Sequence, residues 1–149
     1  MKRDVIIIDL DGTLCDSGHR DHHAQAKEWE EFHSKLILDR PHKDVVEVIA
    51  GMQAWGCKAF GLTGRNEAHR PATMKWLAAN GIELDALMMR PDNDWRSDHE
   101  LKPAALTAAF GTIELARERV LMILEDRDKV VEAWRNLGFR CWQVQPGGY

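Results

Sequence analysis

No apolar run in the sequence approaches the roughly 18 residues that a membrane-spanning helix needs. The apolar stretch near the N-terminus, Val5 to Ile8, is too short and too quickly followed by acids to act as a secretory signal. A cytoplasmic location is therefore expected. Cysteine is scarce: Cys15, Cys57 and Cys141 are widely spaced and odd in number, so there is no disulfide framework and no CxxC metal spacing. Positive charge is not in excess. With 20 Lys and Arg against 24 Asp and Glu the formal charge is −4, so the chain is not a strongly basic duplex binder and any contact with nucleic acid is local. Internal repeats, low-complexity tracts and linkers are absent too. What is present is an ordinary soluble composition, 44% hydrophobic and 30% charged over 149 residues, enough for one domain with a real core.

Apolar runs alternate with amphipathic ones along the chain. Strands are expected at Asp4–Asp9, Cys57–Leu62, Ala86–Met89, Val120–Leu124 and Phe139–Val144. These runs are short and apolar on both faces, as in strands covered by helices on each side. Helices are expected at 43–55, where Val45, Val46, Val48, Ile49 and Met52 share a stripe before Gly56, and at 67–80, with Pro71 near its regular start. Two more are expected at 101–110 and 129–137, each followed by a glycine, Gly111 and Gly138. This order predicts an α/β fold, a doubly wound parallel sheet of about five strands with helices on both faces. Such sheets bind ligands at the carboxyl ends of their strands.

That rule directs attention to the residues just past each strand. The first strand ends in "DLDGT", with Asp9 and Asp11 on one side by strand alternation and Leu10 turned into the packing. The second ends in "LTGR", Leu62 to Arg65, and the fourth in Glu125 and Asp126. Lys102 lies near a helix start after a polar loop. At one rim, the carboxylates can hold a divalent cation, since hard cations take oxygen ligands. Thr63, the Gly64 amide, Arg65 and Lys102 can bind phosphate oxygens. One aspartate can then act as nucleophile at phosphorus, and the other can protonate the leaving oxygen and activate water. Taken singly, paired acids serve equally as caps or turn formers, Thr63 as a turn residue and Lys102 as a solvated lysine; their shared rim favours the chemical reading.

"DLDGT", "LTGR", the downstream lysine and the acidic pair after an apolar strand resemble the four motifs of the haloacid dehalogenase (HAD) superfamily. The nearer resemblance is to the phosphatase domain of bacteriophage polynucleotide kinase–phosphatase. It rests on "RSDHELK" (Arg96 to Lys102), on "EDRDKVVEAWRNLGFRCWQV" (Glu125 to Val144) and on the small and aromatic end from Gly147 to Tyr149. The resemblance covers most of the chain and is weakest from Asp16 to Arg40. It implies a Mg²⁺-dependent phosphatase with Asp9 as nucleophile, forming an aspartyl-phosphate, and Asp11 as general acid and base. Thr63 and Lys102 would stabilise the phosphoryl group. Asp126, with Glu125, would complete a metal site made with Asp9 and the Asp11 carbonyl. Arg65 would lie on the substrate side with Gly64, and Arg96 and Asp98 would position the lysine or the nucleic-acid end. Glu125 stands where the superfamily commonly has aspartate. The kinase half of such proteins needs a GxxxxGK[ST] loop; "GLTGR" lacks the Lys-Ser/Thr, so a stand-alone phosphatase is expected.

The interval from 16 to 42 has room for one or two helices, a small cap-like insert. By analogy with the superfamily, a minimal cap suits a bulky substrate such as a phosphorylated 3′ end, while the acidic net charge suits a free nucleotide. A non-catalytic end-binding protein is a third reading, opposed by the intact motif residues. Five of the seven histidines fall in or beside this interval: His19, His22, His23, His33 and His42. Their spacings match no usual zinc site. Arg20, Lys27, Lys35, Arg40 and Lys43 offer a locally basic lip there. Trp29, Trp55, Trp76 and Trp134 lie within helical patterns and are expected in or near the core. Arg127, Asp128 and Lys129 are expected on a solvated helix face. Trp95 differs, because it stands in the polar loop "PDNDWRSD". There it either stacks on a base or packs as a lid. Oligomeric state is not readable.

Overall fold

The computed structural model describes residues 2–148. Tyr149, the last residue of the resembling C-terminal stretch, lies outside the described residues. The strands are β1 (Val5–Ile8), β2 (Cys15–Asp16), β3 (Arg40–Pro41), β4 (Lys58–Asn66), β5 (Ala86–Arg90), β6 (Val120–Arg127) and β7 (Cys141–Gly147). The helices are α1 (Asp21–Gln25), α2 (Trp29–Ser34), α3 (Lys43–Ala54), α4 (Arg70–Ala79), α5 (Asp98–Phe110), α6 (Ile113–Arg119) and α7 (Asp128–Asn136).

Five strands form one parallel sheet in the order β5–β4–β1–β6–β7. Central β1 pairs with β4 on one side and β6 on the other, with Ile8 opposite Gly61 and Leu124. Its four residues are all buried, and alternation divides them between two cores. Ile6, Ile8 and then Leu10 pack with Val45 and Ile49 of α3 and with Trp76 and Leu77 of α4. Val5 and Ile7 pack with Leu106 of α5, Ala116 of α6, and Val130, Val131 and Trp134 of α7. A strand covered twice has no polar face to show, which is why its sequence does not alternate. The chain winds one way from β1 to β5 and then returns to the other side of β1, so the switch point falls beside Asp9.

Several elements differ from the sequence expectation. Strands β4, β6 and β7 run past their apolar stretches, because backbone pairing continues through Asn66 opposite Arg90 and Arg127 opposite Gly147. Helix α5 starts at Asp98 rather than Leu101, with Ser97 extended before it and Asp98 and Glu100 in its acidic first turn. Helix α6 was not anticipated, although the Thr112 side chain caps it by accepting from the Leu115 amide at 3.1 Å. In the 16–42 interval, β2 and β3 pair antiparallel and close a short insert containing α1 and α2. Trp76 and Trp134 are core, as expected, whereas Trp29 is 51% exposed and Trp55 85%. Trp55 follows the end of α3, past the helix's buried stripe, and Trp29 belongs to the insert. Among the described residues no helix is long and apolar enough to cross a membrane.

Candidate active site

The turn after β1 is tight: the amides of Thr13, Leu14 and Cys15 all point to the Leu10 carbonyl. Gly12 takes φ +84°, and a Cβ there would lie 2.1 Å from Asp126 Oδ2. Only glycine lets this turn pass so close to the end of β6. The result is a buried cluster in which one oxygen each of Asp9, Glu125 and Asp126 lies within 4.8 Å of the others. Lys102, 1% exposed, reaches into it from α5 and donates to Asp9 Oδ1 and to Glu125 Oε2, each at 2.7 Å. The other Glu125 oxygen accepts the amides of Asp126 at 3.0 Å and Arg127 at 3.3 Å. The Thr13 hydroxyl stands 3.0 Å from Asp9 Oδ2 and 3.3 Å from Asp126 Oδ1.

The charges in this cluster do not balance. Burial, then Glu125, pushes the Asp9 carboxyl well above its ordinary range. The same two causes push Asp126 up to about 7. Burial acts on Glu125 too, but Lys102 outweighs it and holds Glu125 below its ordinary value. Burial would lower the Lys102 ammonium, yet Asp9 and Glu125 keep it firmly charged. Among the described residues three carboxylates face one ammonium, and every ligand atom the carboxylates offer is a hard oxygen. The set fits a hard divalent cation.

A second cluster lies beside the first. Arg65 donates to Asp11 through Nε at 3.0 Å and Nη2 at 2.6 Å, and Arg20 donates to the same carboxylate. Arg20 also donates to both oxygens of Asp39, through Nε at 2.8 Å and Nη2 at 2.5 Å. Burial would raise Asp11, but Arg65 and Arg20 outweigh it and hold its carboxyl well below the usual carboxylate range. Asp11, Cys15 and Asp39 also converge as a possible metal group, but Arg20 and Arg65 already supply the positive charge there. Among the described residues neither convergent group includes a histidine. Arg20 is fully buried, so it does not belong to a basic lip.

The remaining expected residues divide. Thr63 is buried at the tip of β4, and its hydroxyl accepts the Arg65 amide at 3.1 Å. A Cβ on Gly64 would meet Asp98 Oδ1 at 2.4 Å. Asp98 is held by Arg90 and Arg127, each at 2.6 Å, and not by Arg96. Arg127 thus ends β6 in an ion pair instead of standing on a solvated helix face. Arg96 is turned to Asp94 at 2.7 Å in the β5–α5 loop. Asp9, Asp11, Gly64, Arg65, Arg96 and Asp98 nevertheless line one cavity of about 760 Å³, together with Trp29, His33, His69, Arg90 and Trp95. Sequence reasoning missed the placement of Arg20 and the presence of Asp39 and Arg90. Their signal is weak, because each acts on residues outside its own motif.

The family model for the phosphatase domain of polynucleotide kinase PNKP matches residues 3–149. A chain of the Pnkp1/Rnl/Hen1 RNA repair complex is 32% identical, covers 99% of this chain and superposes with a TM-score of 0.82. This chain spans 47% of that one, about half its length. A haloacid dehalogenase-like hydrolase from Streptococcus pneumoniae shares the fold at 14% identity and a TM-score of 0.68, with 94% of this chain and 83% of that one covered. A class C acid phosphatase from Bacillus anthracis does so at 13% identity and a TM-score of 0.59, with 85% and 53% covered. With its carboxylate cluster at the switch point of a HAD-type sheet, the chain belongs to the phosphatase-domain family of polynucleotide kinase PNKP.

Proposed function

We propose that this chain is a Mg²⁺-dependent phosphomonoesterase that removes the 3′-phosphate from nucleic-acid ends through an aspartyl-phosphate on Asp9. The observation that carries the reading is the buried cluster of Asp9, Glu125, Asp126 and Lys102, of which Asp9 lines a cavity large enough for a nucleotide. Asp9 Oδ attacks phosphorus, the bond to the sugar 3′-oxygen breaks, and that oxygen takes a proton from Asp11. Water then gives a proton to Asp11 and attacks the phosphoryl group, and the bond to Asp9 breaks to release inorganic phosphate. Asp11 is ionised while Arg65 and Arg20 hold it. Incoming phosphate oxygens compete for Arg65, which lines the cavity, while Arg20 stays with Asp39; with less positive charge on it, burial raises Asp11 toward a proton-carrying state. Lys102, the Thr63 hydroxyl and the Gly64 amide bind the phosphoryl oxygens as charge develops on them. Asp9, Asp126 and the Asp11 carbonyl would hold Mg²⁺, which when bound neutralises phosphoryl oxygens and orients the phosphorus. Glu125 has both oxygens engaged and sets the lysine. The insert over 16–42 acts as a minimal cap.

The likeness to a chain of an RNA repair complex supports a nucleic-acid end as substrate. The net charge of −4 favours the second reading, hydrolysis of free nucleoside monophosphates. A 3′-phosphorylated oligonucleotide, its 5′-phosphorylated isomer and 3′- and 5′-mononucleotides, assayed with Mg²⁺, decide between them. The 3′-phosphorylated oligonucleotide is expected to show the highest kcat/KM. An inert oligonucleotide beside a hydrolysed mononucleotide overturns the proposal. Asp9→Asn is expected to lose about 10³-fold or more in turnover while still binding phosphate; unchanged turnover removes the nucleophile.

A further inference from the structure

We infer that Trp95 is a fixed stacking platform for the terminal nucleobase of the substrate, with Trp29 of the insert at the same mouth; this rests on the nucleic-acid-end reading. Trp95 is 88% exposed, yet its loop is braced. Arg90 donates to the carbonyls of Asp94 at 3.0 Å and Arg96 at 2.6 Å. The same guanidinium donates to the Gly64 carbonyl at 2.9 Å and to Asp98 at 2.6 Å. Asp94 accepts the Arg96 amide at 3.2 Å, which tightens the turn further. One arginine therefore ties the indole's loop to the residue between Thr63 and Arg65, where the phosphate would lie.

A large indole held in water by a braced loop is an unmet apolar surface. Its position selects the occupant. Trp95, Trp29 and Asp9 line one cavity, so a single ligand filling it can set its phosphate at Asp9 and a ring at the indoles. Lys129 lines the cavity as well and is exposed, a positive charge available to a flanking phosphate. Flat ring plus adjoining phosphates is the chemistry of an oligonucleotide end. Trp55 is almost as exposed, at 85%, but does not line the cavity, and so serves as the control.

The test is a cycle of variants against substrates. Two 3′-phosphorylated oligonucleotides are compared, one with an ordinary terminal base and one abasic at that residue. The unsubstituted protein is expected to show a KM about ten-fold lower for the first, the scale of one base–aromatic stack. Trp95→Ala is expected to bring that ratio close to one, Trp95→Phe to keep most of it, and Trp55→Ala to keep all of it. Equal KM values for the two substrates in the unsubstituted protein, or an undiminished ratio in Trp95→Ala, overturn the platform and leave the phosphatase reading standing. If neither oligonucleotide is hydrolysed while a mononucleotide is, the nucleic-acid-end reading falls and the platform falls with it.

Discussion

At the scale of single residues, Lys102 carries the most electrostatic weight. Among the described residues it is the one ammonium at the three buried carboxylates, and it bonds two of them at 2.7 Å. Removing one partner of such a buried set typically costs about 3–5 kcal/mol, because the remaining charges stay buried and unpaired. Lys102→Met is therefore expected to lower the melting temperature and to abolish most turnover. Mg²⁺ is expected to restore part of the melting temperature but not the activity, since a cation repairs the charge and not the missing hydrogen bond. Calorimetric melts with and without Mg²⁺ check this. The lysine's importance was legible from its place after a polar loop, whereas its bond to Glu125 was not, because that bond joins residues 23 positions apart.

At the scale of elements, the tips of the strands matter more than their apolar middles. The middle of β1 was legible because four consecutive branched apolar residues permit little else. The tips were not, because polar residues such as Asn66 and Arg127 continue the pairing without any apolar signal. Gly64 shows what a tip requires. A Cβ there would stand 2.4 Å and 2.7 Å from the Asp98 oxygens, and Arg90 and Arg127 pin that carboxylate on both sides. Gly64→Ala is expected to cost about 1–3 kcal/mol through overpacking. It is also expected to lower kcat more than ten-fold, by roughly the effect of displacing a positioning group by 1 Å. Single-turnover rates beside a urea titration separate the two effects.

At the scale of the whole molecule, the insert is fastened to the body by charge and by rings. Arg20 reaches out of the insert to Asp11, while within the insert it bonds Asp39 and its guanidinium sits 4.2 Å from the Phe32 ring centroid. His33 of α2 stacks on His69, just before α4, at 4.4 Å between centroids. Burial, then His69, lowers His33 to about 4, against about 6.5 for a free histidine. Between those values the unfolded chain binds a proton that the folded one refuses. The His33 contribution is therefore fully present above about pH 6.5 and is lost as pH falls toward 4. Asp11 acts only lower, because its stabilisation is lost as pH falls below the ordinary carboxylate range. Relative to His33→Phe, which keeps the ring contact without the titration, the unsubstituted protein is expected to lose about 5 °C more in melting temperature between pH 7 and pH 4.5. Parallel melts of the two proteins at both pH values check it; equal losses remove the assignment.

The covered sheet, the carboxylates at the strand ends and the family resemblance are legible in the sequence alone. Each of these is local: an apolar run and the few residues just past it. Only the tertiary structure decided that Arg20 and Asp39 belong with Asp11 and Arg65, that Arg127 closes on Asp98, that Trp29 and Trp55 stand in solvent, and that Trp95 shares a cavity with Asp9. The physical reason is the same in each case. A buried charge takes whichever opposite charge the fold brings within about 3 Å, and an aromatic ring is covered or left bare by elements distant in the chain.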